Sequence, residues 1–86
     1  SEIIEFLKEQ NISIYCAALT ASVDYTSVNY TNSSAIIVGT ESMGLSKEWL
    51  VNSDQNIIIP MNGVIDSLNV SVSAAIIIYE AIRQRQ

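Results

Sequence analysis

The sequence predicts an α/β domain in which a mostly parallel sheet is flanked by helices. Three segments with the features of strands alternate with helical segments, in the order helix, strand, loop, strand, helix, strand, helix. Two of these strands, residues 35–39 and 57–59, are apolar runs rich in isoleucine, which is typical of strands covered on both faces. Three strands are few for such a sheet, so we expect the 86 residues to form the second half of a larger domain.

Residues 1–34 are predicted to contain a helix, a strand and a long loop. The apolar side chains of residues 1–10 share one face, which predicts an amphipathic helix that stops at Asn11. A strand is expected over residues 12–19. Residues 20–34 are rich in Ser, Thr, Asn and Tyr and have no helical period, so they are predicted to be a loop with at most one short turn.

Three tyrosines in this region allow two interpretations. Tyr15, Tyr25 and Tyr30 could stack on nucleic-acid bases, as aromatic side chains do in single-strand binding proteins. Packing within the loop is favoured instead, because no basic residue occurs from position 9 to position 46 to hold a phosphate backbone.

The second half of the chain is predicted to contain two strands and two helices. The strand at residues 35–39 leads to a loop, after which Ser46 begins a short helix. Pro60 ends the strand at residues 57–59, because proline cannot donate a hydrogen bond to a sheet. A long helix over residues 67–85 is apolar nearly all round, so one side should meet the sheet and the other another subunit.

Composition limits the classes of function that this chain can have by itself. Four basic and nine acidic residues give a net charge of −5, which argues against a grip on a phosphate backbone by these residues alone. The chain has no histidine, and its single cysteine, Cys16, is expected to be a buried core residue. No apolar run approaches the length of a membrane span and no signal peptide is present, so a cytoplasmic protein is expected.

Three short motifs provide the strongest functional signal. Alone, the G-x-E-x-x-G-L motif at residues 39–45 could be an ordinary turn between a strand and a helix. It is followed by I-P-M-x-G at 59–63 and S-L-N-V-S at 67–71. Together the three motifs closely resemble the second and third motifs of the SpoU/TrmH family of RNA ribose 2′-O-methyltransferases, in the SPOUT superfamily. The resemblance covers about residues 35–86.

The resemblance implies properties that composition and periodicity do not reveal. Proteins similar to this one have a parallel sheet whose C-terminal part forms a deep trefoil knot, and its loops build a pocket for bent S-adenosylmethionine. The resemblance also implies a homodimer formed through the last helix and neighbouring loops, an RNA substrate (tRNA or rRNA) and no metal ion.

The cofactor pocket is expected at five positions that match the family motifs. The resemblance places backbone near Gly39, Ile59 and Leu68 around the adenosine, with Thr40 and Met61 adjacent. An apolar slot with a few backbone donors and acceptors suits adenine. The alternative interpretation is that the apolar residues of this set are simply part of the core.

Three polar residues match positions that the family uses around its catalytic centre. By resemblance, Glu41, Ser67 and Asn69 position the substrate, the cofactor and a catalytic arginine. For Ser67 and Asn69 a local role is the alternative, because they suit the N-cap and the first turn of the last helix.

One part of the family pattern is missing. The first motif of the family contains an Asn and the Arg that helps to activate the ribose hydroxyl, and nothing in residues 1–34 matches it. We therefore expect residues 1–86 to be the C-terminal part of one methyltransferase domain, inactive alone. The alternative is a non-catalytic module of the same fold that binds the cofactor or dimerises.

Overall fold

The computed structural model describes residues 1–19, 21–39, 45–60 and 70–86. The elements in these ranges are α1 Glu2–Glu9, β1 Ser13–Ala17, β2 Ser22–Asp24, a 3₁₀ turn Tyr25–Ser27, β3 Ser34–Ile37, α2 Lys47–Asn52, β4 Gln55–Ile58 and α3 Val70–Gln84. The α/β fold predicted from the sequence is therefore confirmed. None of the helices in these ranges has the length and apolar character needed to cross a membrane.

The four strands form one parallel sheet in the order β2-β4-β1-β3. β1 is central: Cys16 lies opposite Ile37 of β3, and Ala17 lies opposite Ile57 of β4. Because all strands run in the same direction, their carboxyl ends meet at a single edge of the sheet.

The prediction of three strands was wrong, because β2 was assigned to the loop. This strand has three residues, of which only Val23 is apolar, and among the described strands it pairs with β4 alone. A single apolar residue produces no alternating pattern, so a short strand at the edge of a sheet leaves no signal in the sequence. β4 also begins two residues earlier than predicted, at Gln55.

The connection between β1 and β2 is unusually short for two strands that are not neighbours. Only residues 18–21 separate them, yet β4 lies between them in the sheet. The Ala18 N–H donates to the Ile57 carbonyl oxygen of β4 at 3.1 Å, and Ala21 has a φ of 51°, in the left-handed region. The chain thus crosses β4 in four residues. The trefoil knot implied by the resemblance also depends on residues 40–44 and 61–69, which lie outside the described ranges.

Two apolar clusters cover the two faces of the sheet. Tyr15 belongs to the first cluster, which is packed under α3, and its neighbours Ile14 and Cys16 belong to the second, which is packed under α1 and α2. This alternation follows from the period of two along a strand. Cys16 is fully buried, as the sequence predicted. Loop packing of the tyrosines is also confirmed, because the rings of Tyr15 and Tyr30 meet edge to face with centroids 5.3 Å apart.

Asp54 fixes the amino-terminal end of the central pair of strands. Its carboxylate Oδ2 accepts a hydrogen bond from the Ile14 N–H at 2.7 Å, and its own N–H donates to the Ile14 carbonyl oxygen at 2.7 Å. The side chain thereby extends the pairing of β1 and β4 by one position, and the register of the two strands at the opposite edge follows from it.

The ends of the helices agree in part with the sequence signals. Ser1 Oγ accepts a hydrogen bond from the N–H of Ile4 in α1, and Asn11 has a φ of 58°, which confirms the predicted stop. Ser46 occupies the N-cap position of α2 as predicted, but its side chain makes no capping hydrogen bond. Ser67, predicted to cap α3, lies outside the described residues.

Candidate functional site

The residues that follow the four strands form a common surface, which we call the carboxyl edge. Gly39 follows β3 and Ile59 follows β4, the two strands that flank β1. If the register is continued, Gly39 lies level with Ala18 and Ile59 lies level with Leu19. Neighbouring strands are about 4.8 Å apart, so Gly39 and Ile59 are on the order of 10 Å apart across the end of β1. Ligands commonly bind at this edge of open α/β sheets.

Ile59 lies partly in the core and partly exposed at the carboxyl edge. Its side chain is half-buried and packs against the cluster under α3, which contains Tyr15, Tyr30, Ile57 and Ile77. The alternative interpretation of Ile59 as a core residue is therefore supported for part of the side chain. Gly39 is also half-buried, and its missing side chain leaves space close to the backbone of the edge.

Leu19 is a candidate that the sequence interpretation did not single out. It was assigned to the end of the first strand, but β1 ends at Ala17, and the Leu19 side chain is 84% exposed. A large exposed apolar residue directly after the central strand of a parallel sheet suits a ligand surface. Its position at the carboxyl end of a predicted strand was the available signal.

The structure does not test the position of six predicted site residues. These residues, which lie outside the described ranges, are Thr40, Glu41, Met61, Ser67, Leu68 and Asn69. Segment 40–44 follows directly on Gly39, and segment 61–69 follows on Pro60. Of the predicted site residues, the structure therefore describes Gly39 and Ile59, both at the carboxyl edge.

Both arginines of the chain are engaged at the other end of α3. Arg83 Nε and Nη2 donate to the two carboxylate oxygens of Glu80, each at 2.8 Å. Hydrogen bonds from Arg83 and from Gln84 lower the pKa of Glu80 to about 2. Arg85 donates to the main-chain carbonyl oxygen of Tyr30 at 2.9 Å. At 1.5 Å per residue, Arg83 lies about 20 Å along the helix from Val70, so it is remote from the first turn of α3.

The outer face of α3 is apolar and exposed. Val72, Ile78 and Ile82 each keep nearly half of their surface accessible, while Ile77 is buried against the sheet. A shallow groove of about 390 Å³ lies beside this face and is lined by Tyr25, Ala75, Ile76, Tyr79 and Glu80. The prediction that one side of the helix meets the sheet is confirmed. The described residues form no group of three or more His, Cys, Asp or Glu side chains suited to a metal ion.

Comparison with known proteins gives a consistent result. Residues 1–79 match the family model described as the SpoU rRNA Methylase family. The tRNA (guanosine(18)-2′-O)-methyltransferase of Thermus thermophilus is 46% identical over 85 residues, which are 98% of this chain and 44% of that enzyme. The chain therefore spans less than half the length of this relative.

Solved structures share the arrangement described above. The crystal structure of the A. aeolicus TrmH/SpoU tRNA modifying enzyme superimposes with a TM-score of 0.89 at 39% identity, over 98% of this chain and 43% of that one. The SpoU methyltransferase AviRb of Streptomyces viridochromogenes, crystallised in complex with the cofactor AdoMet, gives a TM-score of 0.87 at 29% identity, over 98% of this chain and 35% of that one.

Proposed function

Because the chain belongs to the SpoU rRNA methylase family, we propose that it is part of an S-adenosylmethionine-dependent RNA ribose 2′-O-methyltransferase. The observation that carries the proposal is that Gly39 and Ile59, the first residues of two of the motifs, follow the two strands that flank β1 at one edge of a parallel sheet, in a chain 46% identical to an enzyme named for this reaction. That name favours tRNA as the substrate, with rRNA as the alternative. An RNA substrate also supports the cytoplasmic location expected from the sequence.

We further propose that residues 1–86 are the C-terminal part of a single methyltransferase domain. Within the described ranges no strand pairs with the outer side of β3, although its residues Ser34–Ile37 are half-buried. An open edge on an apolar strand is normally covered, because its free N–H and C=O groups invite pairing with other chains. Further strands of the same domain would complete the sheet there, and the 44% coverage of the Thermus enzyme supports this.

The proposed cofactor site lies at the carboxyl edge. Gly39 and Ile59 would contact the adenosine of S-adenosylmethionine, and Leu19 would add an apolar surface between them. Three residues from outside the described ranges complete the proposed site: Thr40, Met61 and Leu68. The AviRb complex with AdoMet supports a cofactor of this kind, because its fold matches this chain at a TM-score of 0.87.

The proposed reaction moves a methyl group from the sulfonium sulfur to a ribose 2′ oxygen, and the hydroxyl proton must leave to a base. In-line alignment of oxygen, carbon and sulfur supplies much of such catalysis. Glu41, Ser67 and Asn69 would hold the substrate and the cofactor in that alignment. An arginine that stabilises the developing alkoxide must come from outside this chain, because Arg83 and Arg85 are engaged far along α3.

We predict that the 86-residue chain alone transfers no methyl group to tRNA or rRNA, because it lacks the arginine that stabilises the alkoxide. Radiolabelled methyl transfer measures this, with a no-enzyme reaction as the control. In a longer protein that contains the upstream motif, Asn69→Ala is expected to lower turnover far more than it lowers stability. Transfer by the isolated chain above the control would contradict the proposal that the domain is incomplete.

A non-catalytic module of the same fold is the second candidate, and the engagement of both arginines favours it for the chain by itself. The deciding observation is the sequence upstream of Ser1. An Asn-x-Gly-x-x-x-Arg-like motif there would support the enzyme, whereas cofactor binding without turnover in the longer protein would support the module.

We propose that the exposed face of α3 forms a homodimer. Ile78→Ala should then weaken the dimer at least about thirtyfold, because loss of a buried isoleucine side chain costs about 2–5 kcal/mol. Analytical ultracentrifugation over a range of concentrations measures the effect. The matched control is Val51→Ala, which shortens an exposed apolar residue of α2 and should leave the dimer unchanged. A wild-type chain that is monomeric at micromolar concentration would contradict the proposal.

A further inference from the structure

The end of α3 is hydrogen-bonded to the loop before β3 through the side-chain amide of Gln84. Gln84 Oε1 accepts a hydrogen bond from the Tyr30 N–H at 2.7 Å, and Gln84 Nε2 donates to the Val28 carbonyl oxygen at 2.8 Å. One amide group therefore pairs with a donor and an acceptor two residues apart, as the backbone of a neighbouring strand would.

Glu80 of α3 and Arg85, the residue directly after the helix, complete this arrangement. Glu80, which is 7% exposed, accepts a second hydrogen bond from Gln84 Nε2 at 2.9 Å, and this fixes the orientation of the amide. Arg85 donates to the carbonyl oxygens of Tyr30 and Asn32 at 2.9 Å and 2.8 Å. We call Glu80, Gln84 and Arg85 the clasp.

The clasp determines the position of a residue at the centre of the core. Tyr30 is fully buried, and its hydroxyl donates to the Tyr25 carbonyl oxygen at 2.6 Å. It belongs to the cluster that contains Ile57 and Ile77, and Ile59 at the carboxyl edge packs against the same cluster. Packed side chains thus connect the clasp to the candidate cofactor surface without a gap.

The clasp adds directional contacts to the apolar packing of α3 on the sheet, in which Ile77 and Ala81 take part. Apolar burial depends on area and tolerates small shifts of a helix along its axis, whereas hydrogen bonds weaken steeply with distance and angle. A helix transmits such a shift along its length, so a displacement at Gln84 would also move Val70, about 21 Å away. Val70 belongs to the third motif, at residues 67–71, and is its first described residue.

We infer that the clasp positions the carboxyl edge, so that Gln84 and Arg85 act as positioning residues for cofactor binding although they do not touch the cofactor. The inference rests on the proposed function for the identity of the ligand. Through Tyr30 the clasp sets the place of Ile59 at the edge, and through α3 it sets the place of Val70, the first residue of that helix.

The test compares two identical chemical changes two residues apart. Gln84→Ala should weaken the binding of S-adenosylhomocysteine about tenfold, as typical coupling between distant sites allows. Gln86→Ala should leave the affinity unchanged, because the side chain of the exposed Gln86 takes no part in the clasp. Calorimetry at a temperature where circular dichroism shows each variant folded measures both affinities. Arg85→Lys, a milder change, should weaken binding less than Gln84→Ala.

A second measurement does not depend on the ligand. Amide hydrogen exchange should become faster over residues 70–76 in Gln84→Ala, with α1 unchanged. Wild-type affinity and wild-type exchange in that variant would overturn the inference, as would an equal loss of affinity in Ile4→Val, a buried change in the other cluster. If the wild type binds no S-adenosylhomocysteine in any form of the protein, the proposed function fails, and the exchange measurement alone decides the role of the clasp.

Discussion

Tyr30→Ala is expected to lower the free energy of unfolding by about 3–5 kcal/mol, the usual cost of removing a large buried aromatic side chain. Tyr30 is the largest fully buried side chain of the described residues, and it lies between the sheet and α3. A domain of this size is stable by about 4–13 kcal/mol in total, so the substitution should leave a large unfolded fraction.

Urea unfolding followed by circular dichroism measures this loss. Phe6→Ala is the matched control, because Phe6 is 55% exposed on α1 and its truncation should cost less than about 1 kcal/mol. Tyr30→Phe separates the hydroxyl from the ring and should cost about 1–3 kcal/mol, because the Tyr25 carbonyl oxygen loses its donor. Equal losses in the Tyr30 and Phe6 variants would show that Tyr30 is not central to the core.

Deprotonation of Tyr30 should also lower the stability of the protein at high pH. Burial, assisted by the nearby Tyr15 and Glu80, raises the pKa of Tyr30 to about 12 from its ordinary value of 10.0. Because this pKa is higher in the folded state than in the unfolded state, the contribution of the protonated Tyr30 hydroxyl to the free energy of unfolding is fully present below about pH 10. That contribution is lost as the pH rises through about 12. Tyr30→Phe should lack this part of the pH dependence.

Gly39→Val is expected to weaken S-adenosylhomocysteine binding about a hundredfold, because a branched side chain would occupy space beside the edge backbone where the proposed adenosine lies. Forcing extra groups into a filled site costs about 1–3 kcal/mol, and the upper part of that range corresponds to this loss of affinity. Gly39 follows β3 without belonging to it, so the sheet should remain intact. Calorimetry measures the affinity, and thermal unfolding checks the fold.

The control for this substitution is at the other end of the same strand. Ser33→Val introduces the same side chain at an exposed residue before β3 and should bind like the wild type. Wild-type affinity in Gly39→Val would remove Gly39 from the site, whereas loss of the folded state would show that the residue has a structural role instead.

The sequence predicted the elements whose signals are local. The helix before Asn11 and the strands around Ile36 and Ile57 followed from apolar periodicity and stop signals. β2 was missed because its stability comes from pairing with β4, and Val23 alone produces no pattern. The parallel fold was predictable from the alternation of elements, but the position of β4 between β1 and β2 was not.

The sequence predicted which residues belong to the candidate site, but it did not predict their arrangement in space. The motifs named Gly39 and Ile59, and the sheet brings the ends of their strands to either side of β1. Leu19 was missed because the strand was predicted to end two residues too late, at residue 19 instead of Ala17. The clasp gave no signal, because Gln84 and its main-chain partner at Tyr30 are separated by 54 residues and nothing local indicates that pairing.

The four-residue connection between β1 and β2 has a consequence for the order in which the chain folds. Two parallel strands joined so closely cannot pair with each other, since a parallel pair needs a crossover of a dozen or more residues. Among the described strands, β2 therefore has no partner until β4, which begins at Gln55, pairs between β1 and β2. During synthesis β2 leaves the ribosome well before β4, so the sheet cannot be assembled in the order in which its strands are made. The space between β1 and β2 is filled only when β4, a distant segment of the chain, pairs with both strands. We therefore expect folding to be slow relative to proteins of the same size with local contacts.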